Sequence, residues 1–184
     1  MKLQVFACVA VLTLAGAGAA NAAVTVIGDS MAEDCSQAAV HGKSDNQSIE
    51  MCNMALNDGM LDRKDRAGTL INRGVMRMRQ HQWQSARADF DAAIQLEPKI
   101  GEGWVNRGAV LVGLRLFENG LSDINRGLEL GVEEPAKAYY NRALAYEGLD
   151  NMKAAYLDYQ QARAIKPNWE LPQKELLRFT VTRR

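Results

Sequence analysis

The sequence predicts an all-α protein: a solenoid of three helix-turn-helix repeats, preceded by a degenerate helical hairpin and closed by a capping helix. Three observations predict it. Asn72-Arg73-Gly74 returns as Asn106-Arg107-Gly108 and, with Ala in place of Gly, as Asn141-Arg142-Ala143, spaced 34 and then 35 residues apart. Each copy sits in a segment with two stretches of helical periodicity joined by a short polar turn. The second stretch of the first and third segments runs into Pro98 and Pro167. Proline ends a helix because it lacks an N–H and biases the preceding residue away from helical backbone.

At the N-terminus, Lys2 precedes an apolar run from Val5 to Ala20 that closes in Ala20-Asn21-Ala22-Ala23. Charge, apolar run and small residues in that order read as a secretory signal peptide over 1–22, with cleavage after Ala22. A membrane anchor is the weaker reading, because a run of about 16 residues falls short of the roughly 20 that span a bilayer. Cys8 lies near the start of the run, away from the cleavage point where a lipid-modified cysteine would stand. Residues 23–30 show no periodicity and are expected to be a flexible lead-in.

Residues 31–66 are expected to form a worn helical hairpin. Met31, Cys35, Ala38 and Ala39 make one apolar stripe, and Ile49, Cys52, Ala55 and Leu56 make another. His41-Gly42-Lys43-Ser44-Asp45-Asn46 between them has turn composition. Cys35 and Cys52 are equidistant from the middle of that turn, so a hairpin sets them opposite one another. They are also the two cysteines left once the signal is removed, an even count that favours a disulfide in an exported chain. Closing so short a loop contributes about 3 kcal/mol. A redox pair is the alternative, but it usually takes a close C-x-x-C spacing and a depressed thiol pKa.

The repeats fall at 67–100, 101–135 and 136–169. Leu70, Arg73, Gly74 and Arg77 are matched in phase by Trp104, Arg107, Gly108 and Leu111, then by Tyr139, Arg142, Ala143 and Tyr146. In the second halves Ala86, Phe90 and Ala93 correspond to Gly120, Ile124 and Gly127, then to Ala155, Tyr159 and Ala162. The small residues let two helices cross closely while the large ones fill the space beside the crossing. The middle unit has Val132 in the phase of the closing proline. With Gly120 and Gly127 each weakening a helix by roughly 0.5–1 kcal/mol, residues 117–131 are expected to be the softest internal helix.

This pattern resembles that of the tetratricopeptide repeat family, whose period is 34 and whose order is W-x-x-L-G-x-x-Y, then A-x-x-x-F, then P. The resemblance covers residues 67–169. It departs where the middle unit lacks the proline and where Arg stands for the usual Leu. That Arg is followed 16 residues later by an Asp in every unit, Asp89, Asp123 and Asp158. The recurrence favours ion pairs between helices over a basic ladder for a ligand. Beyond the repeats, residues 170–184 are expected to be a capping helix and tail. Trp169 to Phe179 reads as helical, with Leu171, Leu176 and Leu177 on its apolar side.

The resemblance implies a concave groove lined by the first helix of each unit, in which a peptide segment of another protein is held. By position the lining residues are Asn72, Asn106 and Asn141, flanked by Ile71, Val75, Val105, Ala109, Tyr140 and Leu144. Met78, Arg79, Val112 and Glu147 follow further along the same helices. Each asparagine amide offers a donor and an acceptor, so three at repeat spacing can pair with the backbone of an extended peptide. The other reading is that each braces its own helices. Family members that clamp an acidic C-terminus need Lys or Arg where this chain has Ile71, Val75, Val105 and Ala109, so a groove this apolar is expected to take an extended or helical segment with apolar side chains.

Composition excludes several other functions. The 22 Lys and Arg against 22 Asp and Glu are interspersed, whereas nucleic acid and anionic membrane call for concentrated positive charge. No second long apolar segment follows the first, so no membrane insertion is expected after signal cleavage. His41 and His81 stand alone in turns, and no metal-spaced cluster or phosphate loop occurs. Trp83, Trp104 and Trp169 are read as packing residues. The expectation is a non-enzymatic protein-interaction module without cofactor, acting in the periplasm or outside the cell. A small secreted hydrolase or thiol-redox protein on a helical scaffold is the rival.

Overall fold

The computed structural model of the protein describes residues 3–7, 22–26 and 30–183. The rest of the expected signal except Ala22 (residues 1–2 and 8–21, with Cys8), residues 27–29 and Arg184 lie outside the described residues. The architecture is all-α. An N-terminal pair, α1 (Ser30–Val40) and α2 (Asn46–Asn57), precedes three further pairs. These are α3 (Arg63–Arg79) with α4 (Trp83–Leu96), α5 (Gly101–Gly113) with α6 (Phe117–Leu130), and α7 (Pro135–Gly148) with α8 (Met152–Ile165). A short α9 (Glu170–Leu176) closes the stack.

Local chemistry sets these boundaries. Asp45 and Asp62 cap α2 and α3 by accepting from the Ser48 and Asp65 amides, and Asn151 caps α8 through Ala154. Each repeat turns between its helices through one residue with left-handed backbone. These are His81, Arg115 and Asp150, at φ 60°, 63° and 58°. A single left-handed residue is the usual way to end a helix abruptly.

Partner helices pack within each pair, and each second helix packs on the first helix of the next pair. Glycine sets how closely they approach. A Cβ on Gly74 would meet the Phe90 ring at 2.6 Å. In the middle unit the backbones themselves touch: a Cβ on Gly108 would lie 2.8 Å from the Gly120 carbonyl oxygen, and one on Gly120 would lie 2.9 Å from that of Gly108. Gly127 against Gly101 repeats the contact further along, at 2.7 Å. The glycines that weaken α6 as an isolated helix are thus what its crossing with α5 requires.

Arginine joins three helices at each repeat. Arg107 grips Asp123 with two nitrogens, Nε at 2.6 Å and Nη2 at 2.8 Å, and Arg142 grips Asp158 likewise at 2.7 and 2.9 Å. Arg73 makes the same fork to Asp89, its Nη2 at 2.6 Å. The remaining nitrogen reaches back to the preceding pair. Arg73 Nη1 donates to Asn53 at 2.9 Å, Arg107 to Asp91 at 2.8 Å and Arg142 to Asn125 at 2.9 Å. Aromatic faces of Trp104 and Tyr139 lie under the second and third guanidiniums, 4.8 and 5.1 Å away. The Arg–Asp recurrence is therefore structural.

The C-terminal expectation needs correction. The helix ends at Leu176, Leu177 is 86% exposed, and Phe179–Arg183 forms strand β2. Its Thr180-Val181-Thr182 core is β-branched, which favours extended backbone. The partner is β1 (Leu3–Ala7), antiparallel, with Val5 opposite Val181. Part of the segment expected to be signal peptide is thus paired with the C-terminus.

Three substitutions test this packing. Arg107→Ala should cost roughly 2–3 kcal/mol in urea denaturation, less than a deeply buried pair because the guanidinium is partly exposed. Arg107→Lys should recover little, since one ammonium cannot fork to Asp123 and also reach Asp91. Gly120→Ala should lower the melting temperature although Ala is the better helix former, because its Cβ would collide with α5.

Candidate functional site

Successive helical residues point about 100° apart, so the three letters of each repeat motif face three different neighbours. The glycine or alanine meets its own second helix and the arginine reaches the preceding pair. The asparagine faces the inner side of the stack. There, Asn72 and Asn106 hold a strand of the protein's own chain. Asn72 Oδ1 accepts from the Val24 amide at 2.8 Å while its Nδ2 donates to the Val24 carbonyl at 2.7 Å. Asn106 does the same to Ala22, at 3.2 and 2.8 Å. Each side chain thus takes both backbone groups of one residue, and the two residues held are two apart.

The strand continues to α1. Ser36 Oγ accepts from the Val26 amide at 3.2 Å and donates to the Val24 carbonyl at 3.0 Å. Residues 22–26, expected to be the end of the signal and a flexible lead-in, are instead extended and bonded at every second residue. Ala22 and Val26 are each 3% exposed, Val24 is half-buried and Thr25 faces solvent. Gly68, one helical turn before Asn72, makes the room: a Cβ there would meet Val26 Cγ2 at 2.8 Å and Val24 Cγ1 at 3.7 Å. An extended chain advances about 6.6 Å in two residues, and packed helices lie about 8–10 Å apart. The reach of the asparagine side chain takes up the difference.

The flanking residues divide into two groups. Ile71, Val75 and Ala109 are buried in one apolar cluster, with Val24 packed against it. Val105, Tyr140 and Leu144 belong to another that includes Ala155, Tyr159 and Phe179. Asn141 has the same phase on α7 and is 1% exposed. Tyr140 is fully buried, between the Tyr159 ring at 5.5 Å and the Trp169 ring at 5.0 Å. Its hydroxyl donates to Glu175 at 3.4 Å. Burial, then the Glu175 charge, raises its pKa above the ordinary phenol value, so it stays a neutral donor. A position expected in the groove is therefore core.

Met78 and Val112 are buried as well. Arg79 donates to the Ala39 carbonyl at the end of α1, and burial lowers its pKa. Glu147 is 4% exposed and accepts from Tyr159 Oη and Arg178 Nη2, both at 2.6 Å. Burial works against the Arg178 charge, but the hydrogen bond and charge of Glu147, with the Glu175 charge beside it, together outweigh burial and raise the Arg178 pKa. The tryptophans pack too: Trp83 lies beside Gly113 and Trp169 against Tyr140, while the Trp104 indole bonds the Pro98 carbonyl.

What this arrangement can do is hold extended backbone, largely blind to side chains provided that alternate ones are small. Sequence reasoning placed Asn72 and Asn106 on this face but missed Ser36 and Gly68. An unexplained glycine inside a helical pattern, one turn from an asparagine, was the available signal for Gly68. Ser36 had none. Cys35 and Cys52 are bonded to each other, Cα to Cα 4.9 Å, and both are 0% exposed. Thiol exchange needs an accessible sulfur, so this cystine reads as a structural brace. Among the described residues no group of three His, Cys, Asp or Glu is placed to hold a metal, and no helix is long and apolar enough to cross a membrane.

No protein-family model matches the chain, and no curated protein is significantly similar in sequence. Solved structures are similar. The Arabidopsis OM64 TPR domain superposes with a TM-score of 0.59 at 22% identity, over 64% of this chain and 96% of that one. MamA from Desulfovibrio magneticus RS-1 gives 0.61 at 20% identity, over 82% and 84%. The first TPR domain of Spaghetti (RPAP3), bound to the HSP90 peptide SRMEEVD, gives 0.57 at 24% identity, over 62% and 90%. The chain has the tetratricopeptide-repeat fold.

The cystine generates a prediction. Mass spectrometry of non-reduced protein should find the peptides bearing Cys35 and Cys52 linked, and Cys52→Ser should cost about 3 kcal/mol. Because Ser36 adjoins Cys35, the variant should also speed amide exchange at Val26. Unchanged exchange there would show that α1 keeps its place without the bond.

Proposed function

We propose that the protein is a non-enzymatic interaction module that holds an extended segment of another protein along its inner face. The asparagines at repeat spacing grip the backbone of that segment. One observation carries this reading: Asn72 and Asn106 each bind both the N–H and the C=O of one residue of an extended strand, two residues apart. Those bonds go to an N-terminal segment of the chain rather than to the asparagines' own helices. The first TPR domain of Spaghetti (RPAP3), which shares the fold, is bound to a peptide. Here the positions flanking the asparagines are apolar, so an acidic C-terminus is not the natural ligand. The signal-like N-terminus and the buried cystine support export, and with it a partner in the envelope or among secreted proteins.

The test is a peptide selected from a random display library on the exported protein, then titrated against wild type and the triple variant Asn72→Ala, Asn106→Ala, Asn141→Ala. Taking one such bond per asparagine as worth about 0.5–1.5 kcal/mol net, the triple variant should bind at least roughly tenfold, and up to about two-thousandfold, more weakly. Wild-type affinity should change little between low and high salt, because apolar burial and neutral hydrogen bonds are not screened as exposed ion pairs are. Because Asn72 and Asn106 also hold residues 24 and 22, the comparison is repeated with Val24→Pro in both proteins, and normal binding by a folded triple variant there would remove the basis of the proposal.

A further inference from the structure

We infer that residues 22–26 occupy the groove as a built-in competitor: the site is closed in cis by a strand with the chemistry of its ligand. A partner must displace that strand, and the segment it offers is extended, with small apolar side chains at every second residue. This rests on the peptide-holding reading above and specifies both its ligand and its control.

The resident strand shows what the groove accepts. Its backbone is bound at Ala22 and Val24 by asparagine amides and at Val26 by Ser36, while Ala23 and Thr25 carry none of these bonds. Ala22, Val24 and Val26 go inward, Ala23 packs beside the Cys35–Cys52 cluster and Thr25 faces solvent; Gly68 limits what fits at the Val24 and Val26 positions, since Val26 already lies 2.8 Å from where a Cβ on Gly68 would be. Large or charged residues at the inward positions have no room. The strand is joined to α1 by residues 27–29, so it competes at high effective concentration without being covalently fixed in the groove.

The cleavage point read from the sequence falls between the two gripped residues. Cutting after Ala22 removes the residue held by Asn106 and leaves Val24 on Asn72. Processing therefore half-opens the track, at the middle repeat, and leaves residues 23–26 closing the first.

Amide exchange on the full chain tests occupancy. Ala22 and Val24 should exchange slowly and Ala23 and Thr25 rapidly; Asn106→Ala should release Ala22 only, and Asn72→Ala should release Val24 only. Competition is tested with a fluorescent, end-capped peptide of the sequence Ala-Ala-Val-Thr-Val added to the full chain and to its Val24→Pro variant, which lacks the amide that Asn72 accepts from. If the strand closes the groove nine-tenths of the time or more, the variant binds the probe at least about tenfold more tightly. Adding Asn106→Ala to that variant should then weaken the binding. The chain beginning at Ala23 should also bind more tightly than the full chain, and equal affinities would overturn the processing step. Equal, asparagine-dependent binding by wild type and Val24→Pro would overturn the competitor while leaving the peptide-holding function intact. Uniformly fast exchange across 22–26 would overturn it as well. A folded Val24→Pro variant with Ala22 released and no probe bound would sink both, leaving the strand as a fixed part of the fold.

Discussion

The arginine fork is the interaction on which the rest of the molecule depends. A helical pair of this kind cannot bury both of its faces, so its stability comes from stacking, and stacking needs a fixed register between pairs. Planar guanidiniums supply it. Two nitrogens of Arg73, Arg107 and Arg142 lock the second helix of their own pair, and the third reaches the second helix of the pair before. A charge in so enclosed a place is costly unless its donors are met. The recurring Asp, with Asn53, Asp91 or Asn125 behind it, meets them.

The same tripeptide sets the inner face. With the arginine turned toward the preceding pair and the glycine pressed on its own second helix, helical phase turns the asparagine to a third side, where Asn72 and Asn106 meet the backbone of Val24 and Ala22.

The N-terminal hairpin bonds the same N-terminal segment that the repeats hold. Its cystine holds α1 against α2, Met76 of α3 packs on the same cluster, and Ser36 on α1 becomes the next bonding position after Asn72 and Asn106. A worn pair without the repeat motif thus contributes a hydroxyl where the repeats contribute amides. At the other end the stack is sealed by Trp169 on Tyr140 and by Glu147 with Arg178, so the inner face ends in core rather than in open groove.

What the sequence determined by itself is whatever recurs or is local. The period, the small residues at the crossings, the Arg–Asp pairs and the opposed cysteines were all legible, because helical phase converts spacing directly into facing. The phase of Asn72 and Asn106 was legible for the same reason. Tertiary structure alone decided what those asparagines hold. Val24 and Ala22 lie 48 and 84 residues from their partners and are bound through backbone atoms, which every residue but proline possesses, so no side-chain pattern could announce the contact. It also decided that Tyr140 is core and that the chain after Leu176 is a strand. Both depend on segments that meet only once the solenoid has closed.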